Sequence, residues 1–139
     1  DSAGAAVGPT LLVIIPEGEH HTLGAMVLAG RLRRSGVSVA LRIGQTPVEI
    51  AAFMQGRKFD GALISAGSYD RLETCRKLVK TLKDATGGAI RVALGGAILD
   101  EGGEKVSGTG ADVVTNDIET ALAGLGLIEV AAVGGGETV

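Results

Sequence analysis

The chain has 139 residues, 45% of them hydrophobic and 2% aromatic, with 23 glycines. That is enough to bury one core of Val, Leu, Ile and Ala, and it leaves no room for a second domain or an aromatic-rich all-β module. Sixteen acidic against thirteen basic residues give a net charge of -3, which provides no electrostatic basis for direct DNA binding or for adhesion to acidic lipid.

The first residues carry neither a charged n-region nor an apolar h-region, and the longest apolar run, Leu11 to Ile15, is far too short to span a bilayer. The expectation is a cytoplasmic protein without membrane contact. Residues 1–9 read as a leader, 10–128 as the domain and 129–139 as a Gly-rich flexible tail. A start on Asp1 and a tail through Gly134-Gly135-Gly136 suggest a piece of something longer.

Apolar runs at Thr10 to Ile15, Val37 to Ile43, Gly61 to Ser65, Ile90 to Leu94 and Asp112 to Thr115 read as strands, with helical patterns between them. The first helix is expected over Thr22 to Ser35. Ala25, Leu28, Ala29 and Leu32 form its buried stripe, Gly36 ends it, and Arg31, Arg33 and Arg34 suit its negative C-terminal end. Thr46, Pro47 and Glu49 form a capping box that opens a second helix ending near Gln55. A third begins after Ser68 and buries Leu72, Cys75, Leu78, Val79, Leu82 and Ala85; Cys75, the sole cysteine, is expected to be an inert core thiol. The last is expected to be capped by Asn116 and to bury Ile118, Ala121, Leu122 and Leu125.

Strand alternating with helix implies an α/β fold: a flavodoxin-like, doubly wound, five-stranded parallel sheet in a three-layer α/β/α sandwich. Its ligands would meet the loops at the carboxyl ends of the strands. Several uses of that fold lack their residues. No GxGxxG follows the first strand and no GxxxxGK[ST] occurs, which removes dinucleotide and P-loop sites. A phospho-receiver would need Asp and Lys where Ser65 and Thr115 stand. The first loop, Pro16 to Gly24, offers one hydroxyl, too few for a flavodoxin-type FMN cradle.

That loop holds both histidines, His20 and His21, with Glu17 and Glu19. A neutral imidazole is a common metal ligand, and a carboxylate two residues away can accept its other ring N–H. The same residues also read as solvated polar groups before a helix, and the loop alone leaves both readings open. Ser65-Ala66-Gly67-Ser68 after the third strand and Gly95-Gly96 after the fourth are small, and are expected to leave a slot between loops. They also read as ordinary strand-ending turns.

Taken together, Glu19-x-His21-x-x-Gly24, Ser65-x-Gly67, Gly95-Gly96 and Gly110-Ala111-Asp112 resemble the cobalamin-binding domain family over about residues 10 to 126. The resemblance implies a cobalamin-binding-domain-like fold in which His21 is the axial metal ligand and Glu19, standing where that family has Asp, orients it. Glu19, His20, His21, Thr22, Gly24, Ser65, Gly67, Ser68, Gly95 and Gly96 would then contact the cofactor; Gly67 replaces the family's usual Leu or Thr. The stretch Gly18 to Gly30, continued by Leu32 to Val37, is most similar to the SCHIC branch (sensor containing heme instead of cobalamin) of the AppA, PpaA and AerR antirepressors of purple bacteria. Membership there implies a non-enzymatic light or redox sensor that binds heme or cobalamin and acts on a photosynthesis-gene repressor of the PpsR/CrtJ type. The AppA type would make the chain a C-terminal fragment. Two alternatives stay open: a corrinoid-carrying module of a methyltransferase or mutase, and a cofactor-free docking domain.

Overall fold

A computed structural model describes residues 8–18 and 23–128. Elements follow in the order β1 (Thr10–Pro16), α1 (Leu23–Arg34), β2 (Ser38–Gln45), α2 (Pro47–Met54), β3 (Gly61–Ser65), α3 (Leu72–Ala85), β4 (Val92–Gly95), α4 (Ile98–Gly102), β5 (Val113–Val114) and α5 (Ile118–Gly124). The five strands form one sheet in the order β2-β1-β3-β4-β5, and every pairing is parallel. This is the flavodoxin-like, doubly wound arrangement.

Both faces of the sheet are covered. Leu11, Val13, Leu63 and Ala93 pack with Leu28 and Leu32 of α1 and with Ile118, Ala121 and Leu122 of α5. Leu12, Ile14, Ala62, Ile64, Val92 and Leu94 face α2, α3 and α4 on the other side. Strand residues alternate in direction yet are apolar either way, which is why the central strands read as unbroken hydrophobic runs. Ala25, Leu28, Ala29 and Leu32 are buried as expected. Cys75 is fully buried on α3.

The expected capping box is present: Glu49 N donates to Thr46 Oγ1 (3.2 Å) and Thr46 N to Glu49 Oε1 (2.9 Å). Other boundaries differ from the sequence reading. β4 starts at Val92 rather than Ile90, because Ile90 N donates to Thr86 Oγ1 and Ile90 O accepts from Lys83 Nζ. Those two groups serve the end of α3 and are lost to the ladder. The helix expected directly after Ser68 begins with a 3-10 turn, Tyr69–Arg71, and α3 proper starts at Leu72. Ala85, the last residue of α3, is exposed. α5 is capped by Asp117, not Asn116: the Asp117 carboxylate accepts from the hydroxyl and the backbone N–H of Thr120, which hold its pKa below the ordinary value.

Polar contacts tie the strands at their amino ends. The Asp60 carboxylate accepts from Thr10 N at 2.7 Å, and Asp60 N donates to Thr10 O at 2.8 Å. The Asp112 carboxylate accepts from Val92 N (2.8 Å) and Lys83 Nζ (2.6 Å). Partial burial is the largest single influence on Asp112 and raises its pKa, but hydrogen bonds from Lys83 and Val92 and the charges of Lys83 and Arg91 together lower it. Gly110-Ala111-Asp112 therefore stands at the amino edge of the sheet as a structural tie. No described helix is long and apolar enough to cross a membrane.

Candidate functional site

Strand order reverses between β1 and β3: the chain leaves β1 for β2 on one side of the sheet and leaves β3 for β4 on the other. In open α/β sheets this switch point, at the carboxyl ends of the strands, is where adjoining loops part and ligands enter. The loop after β1 and the loop after β3 flank it here.

Glu19, His20, His21 and Thr22 lie outside the described residues. Their neighbours in the chain are Gly18, exposed just beyond β1, and Leu23, the first residue of α1. Gly24 is exposed in the first turn of α1, and a Cβ there would meet nothing within 4 Å. Ser65 ends β3, half-buried and in register with Gly95 at the end of β4. Gly67 is exposed, and Ser68 is half-buried before the 3-10 turn. Of the motif residues that are described, Gly24, Ser65, Gly67, Gly95 and Gly96 thus stand at one sheet edge and Gly110-Ala111-Asp112 at the other.

The expected slot between the loops after β3 and β4 is closed. Ala66 N donates to Gly95 O at 3.0 Å, and Ile98 N donates to Ala66 O at 3.1 Å. Gly96 has φ +103°, and a Cβ on it would lie 2.2 Å from Ala66 O. The Asn116 amide holds the same residue: Gly96 N donates to Oδ1 (2.6 Å), and Nδ2 donates to Gly96 O (3.2 Å). Gly96 is a glycine because two loops touch there.

Sequence reasoning missed Arg71. From the 3-10 turn its Nη2 donates to Gly18 O at 3.0 Å, joining the loop after β3 to the loop after β1. Gly18 has φ +88°, and a Cβ on it would lie 2.6 Å from Nη2 and 2.8 Å from Cζ, so the absent side chain admits the guanidinium. Asn116 was also missed in this role. Its residue type signals a helix cap, and only the fold shows Gly96 within its reach.

The chain places Gly24, Ser65 and Gly67 at the carboxyl edge of the sheet, small and at least partly exposed, and the only two imidazoles fall in the intervening segment of the first loop. Imidazole is a suitable ligand for cobalt and for iron. The open groove lined by Met54, Arg57, Thr81 and Asp84 lies at the opposite edge, between the carboxyl ends of α2 and α3.

A model described as the B12 binding domain matches residues 9–126. An uncharacterized 20.5 kDa protein of Rhodobacter capsulatus, from the bchF-crtJ intergenic region, is 48% identical over 128 residues, covering 92% of this chain and 67% of that protein. Three solved structures share the fold at low identity. A cobalamin-binding protein from Desulfitobacterium hafniense DCB-2 superposes with a TM-score of 0.67 at 20% identity, over 78% of this chain and 53% of that one. The methanol:cobalamin methyltransferase complex MtaBC from Methanosarcina barkeri gives 0.56 at 21%, over 63% and 34%. A response regulator in red light signaling of R. palustris gives 0.50 at 18%, over 76% and 78%. The chain thus spans about half, and about a third, of the first two.

Proposed function

The chain belongs to the B12-binding domain family, and from that premise we propose that it is a cofactor-holding sensory domain that binds cobalamin through His21 and passes the ligand's state to a protein partner. The observation that supports this reading is position in the chain: Glu19-x-His21-x-x-Gly24 falls between the end of β1, at the switch point of the sheet, and the first turn of α1. The family match favours cobalamin over heme.

In this reading the His21 imidazole holds the metal, and the Glu19 carboxylate accepts the remaining ring N–H, fixing the tautomer and strengthening the donor. Glu reaches one methylene further than the Asp of the family pattern, so the carboxylate stands farther from its backbone. His20 and Thr22 flank the ligand. The Ser65 hydroxyl, the exposed Gly67 and the half-buried Ser68 supply polar and backbone contacts, while Gly95 and Gly96 form a fixed wall beside them. Bound cobalamin would supply a coloured, redox-active metal centre.

The Rhodobacter capsulatus relative, named for its place beside crtJ, supports a role in photosynthesis-gene control, as an antirepressor acting on a repressor of the PpsR/CrtJ type. The test is an absorption titration of the purified chain with hydroxocobalamin and, separately, hemin, repeated on His21→Ala. A saturable shift with hydroxocobalamin that disappears in the variant is expected. No shift with either ligand would overturn the cofactor reading and leave a docking domain, to be pursued by repressor pull-down.

A further inference from the structure

We propose that the outer edge of β2 is a docking site for an extended protein segment in which acidic and apolar residues alternate, added to the five-stranded sheet as a sixth strand. The proposal gives the protein partner of the reading above a surface and a chemistry, and it stands without a cofactor.

β2 ends the sheet on one side and pairs with β1 alone. Ser38 N donates to Pro9 O at 2.8 Å. Bonding in a parallel ladder repeats at every second residue, so the N–H and C=O groups of Val39, Leu41 and Ile43 point away from β1. Among the described residues, no other segment bonds to them. The run closes at a bulge, where the pairing shifts between Ile15 and Pro16 and Gly44 takes φ +74°. Sheet edges are commonly blunted by proline or lysine, but β2 contains neither, and Arg42 is its sole charge.

The two faces of the strand differ. Val39 and Leu41 pack on the α1 side and Ala40 on the other; by the same alternation Ile43, 39% exposed, lies with the first pair and Arg42 with Ala40. The Arg42 guanidinium stands 4.0 Å from the centroid of the Phe53 ring on α2, and the Arg57 guanidinium 4.3 Å from the same centroid. Both donate to neutral oxygens, Arg42 Nε to Gln45 Oε1 at 2.7 Å and Arg57 Nη1 to Phe53 O at 2.8 Å. Among the described residues neither is paired with a carboxylate. Two like charges over one ring repel, and a carboxylate brought beside them relieves that repulsion.

These features select the occupant. An added strand takes backbone bonds from Val39, Leu41 and Ile43 whatever its sequence, so its side chains decide specificity. Apolar residues on its α1 side cover Ile43, and acids on its α2 side meet Arg42 and Arg57. A neutral or basic strand leaves those charges uncompensated, which counts against the wrong partner. A second copy of this chain is such a partner. Antiparallel pairing of two β2 edges about a two-fold axis keeps each face continuous and brings the Arg42 and Arg57 charges of both copies to one side.

The test uses the whole chain without cofactor and, as probe, a capped peptide of alternating Glu and Val as long as β2. Controls are a peptide of the same composition with the Glu and Val residues in two blocks, and one of alternating Lys and Val. Amide hydrogen exchange is read residue by residue by NMR. In the free chain, the amides of Val39, Leu41 and Ile43 are expected to exchange faster than those of Ala40 and Arg42, which bond to β1. The alternating acidic peptide should slow all three, and the controls should not. Arg42→Gln and Arg57→Gln should each weaken its binding about two- to fivefold, the scale of one partly exposed ion pair. Ile43→Pro removes an outward N–H and leaves the bonds to β1, so it should abolish the protection, whereas Ile43→Thr should keep it. If Ile43→Pro fails to fold, as read by circular dichroism, the two arginine variants and the control peptides still decide. Protection of the three amides in the free chain would overturn the proposal, by showing the edge covered by a second copy if it grows with concentration and by the chain itself if it does not. No protection by the acidic peptide, or equal protection by either control, would overturn it too. None of these outcomes bears on the hydroxocobalamin titration, so this proposal and the cofactor reading stand or fall separately.

Discussion

Gly96→Ala separates a glycine kept for packing from one kept for a ligand. The new Cβ would sit 2.2 Å from Ala66 O, 2.8 Å from Ala66 N and 3.0 Å from Ala66 C. All three are backbone atoms, so no side chain can swing aside. Ala66 is pinned by its bonds to Gly95 O and Ile98 N, and shifting it gives up one or both, about 0.5–1.5 kcal/mol each. Holding alanine at φ +103° adds about 1–3 kcal/mol of backbone strain. The sum is about 1.5–6 kcal/mol, a large part of the roughly 5–15 kcal/mol that holds a domain together. At roughly 3–5 °C per kcal/mol for a chain of this size, Tm should fall by about 5–30 °C. Thermal and urea unfolding followed by far-UV circular dichroism, with no cofactor present, measures it. Gly24→Ala is the control: its Cβ meets nothing, and alanine in an exposed helical turn should stabilise by about 0.5–1 kcal/mol. A Gly96→Ala protein within about 1 kcal/mol of wild type would refute the packing argument and return Gly96 to the ligand site.

Asn116→Ala removes both bonds to Gly96 and should cost about 1–3 kcal/mol in a urea titration. Because the lowered Asp112 pKa means the folded state favours the carboxylate, its contribution is present above about pH 4–5 and is lost as pH falls through the folded value. Lys83→Met should therefore lower stability at neutral pH by about 1 kcal/mol, a surface-pair magnitude because both side chains are partly exposed. The gap between variant and wild type should narrow in acid, as read from unfolding curves across pH. Thr46→Ala breaks the capping box of α2 and should lower stability by about 1 kcal/mol, a Tm fall of roughly 3–5 °C in calorimetry.

The sheet was legible because its central strands are buried on both faces, so β1 and β3 appear as apolar runs whatever the rotation of the chain. β3 was read to the residue, Gly61 to Ser65. α4 was not named, because Ile98–Gly102 and the 3-10 stretch after it bury mainly Ile98 and Val106 among polar and glycine residues, too few for a periodic stripe. The adjacent caps Asn116 and Asp117 are equivalent by type, and the choice between them was made by Gly96, twenty residues earlier in the chain. Arg71 gave no sign for the same reason: its partner is 53 residues away, and Asp70-Arg71 reads as an ordinary charged turn. The family resemblance pointed to the carboxyl edge of the sheet, but the contact that closes the gap between the β3 and β4 loops depends on backbone approach.

The tie between Asp60 and Thr10 has a consequence for alignment. In a strand with one oily side, sliding by one residue would turn that side to water and be rejected at once. β1 and β3 lack that safeguard, since Leu11 and Leu12, or Leu63 and Ile64, are equally at home on either face. Correct alignment has to be written elsewhere, and the carboxylate of Asp60 clasping the first amide of β1 is one place where it is. A slip of one step moves a strand end by about 3.3 Å. At the far end of these two strands that distance separates loops that meet across the switch point from loops that miss, so a side chain at the bottom of the sheet governs the height at which the top presents its ligands.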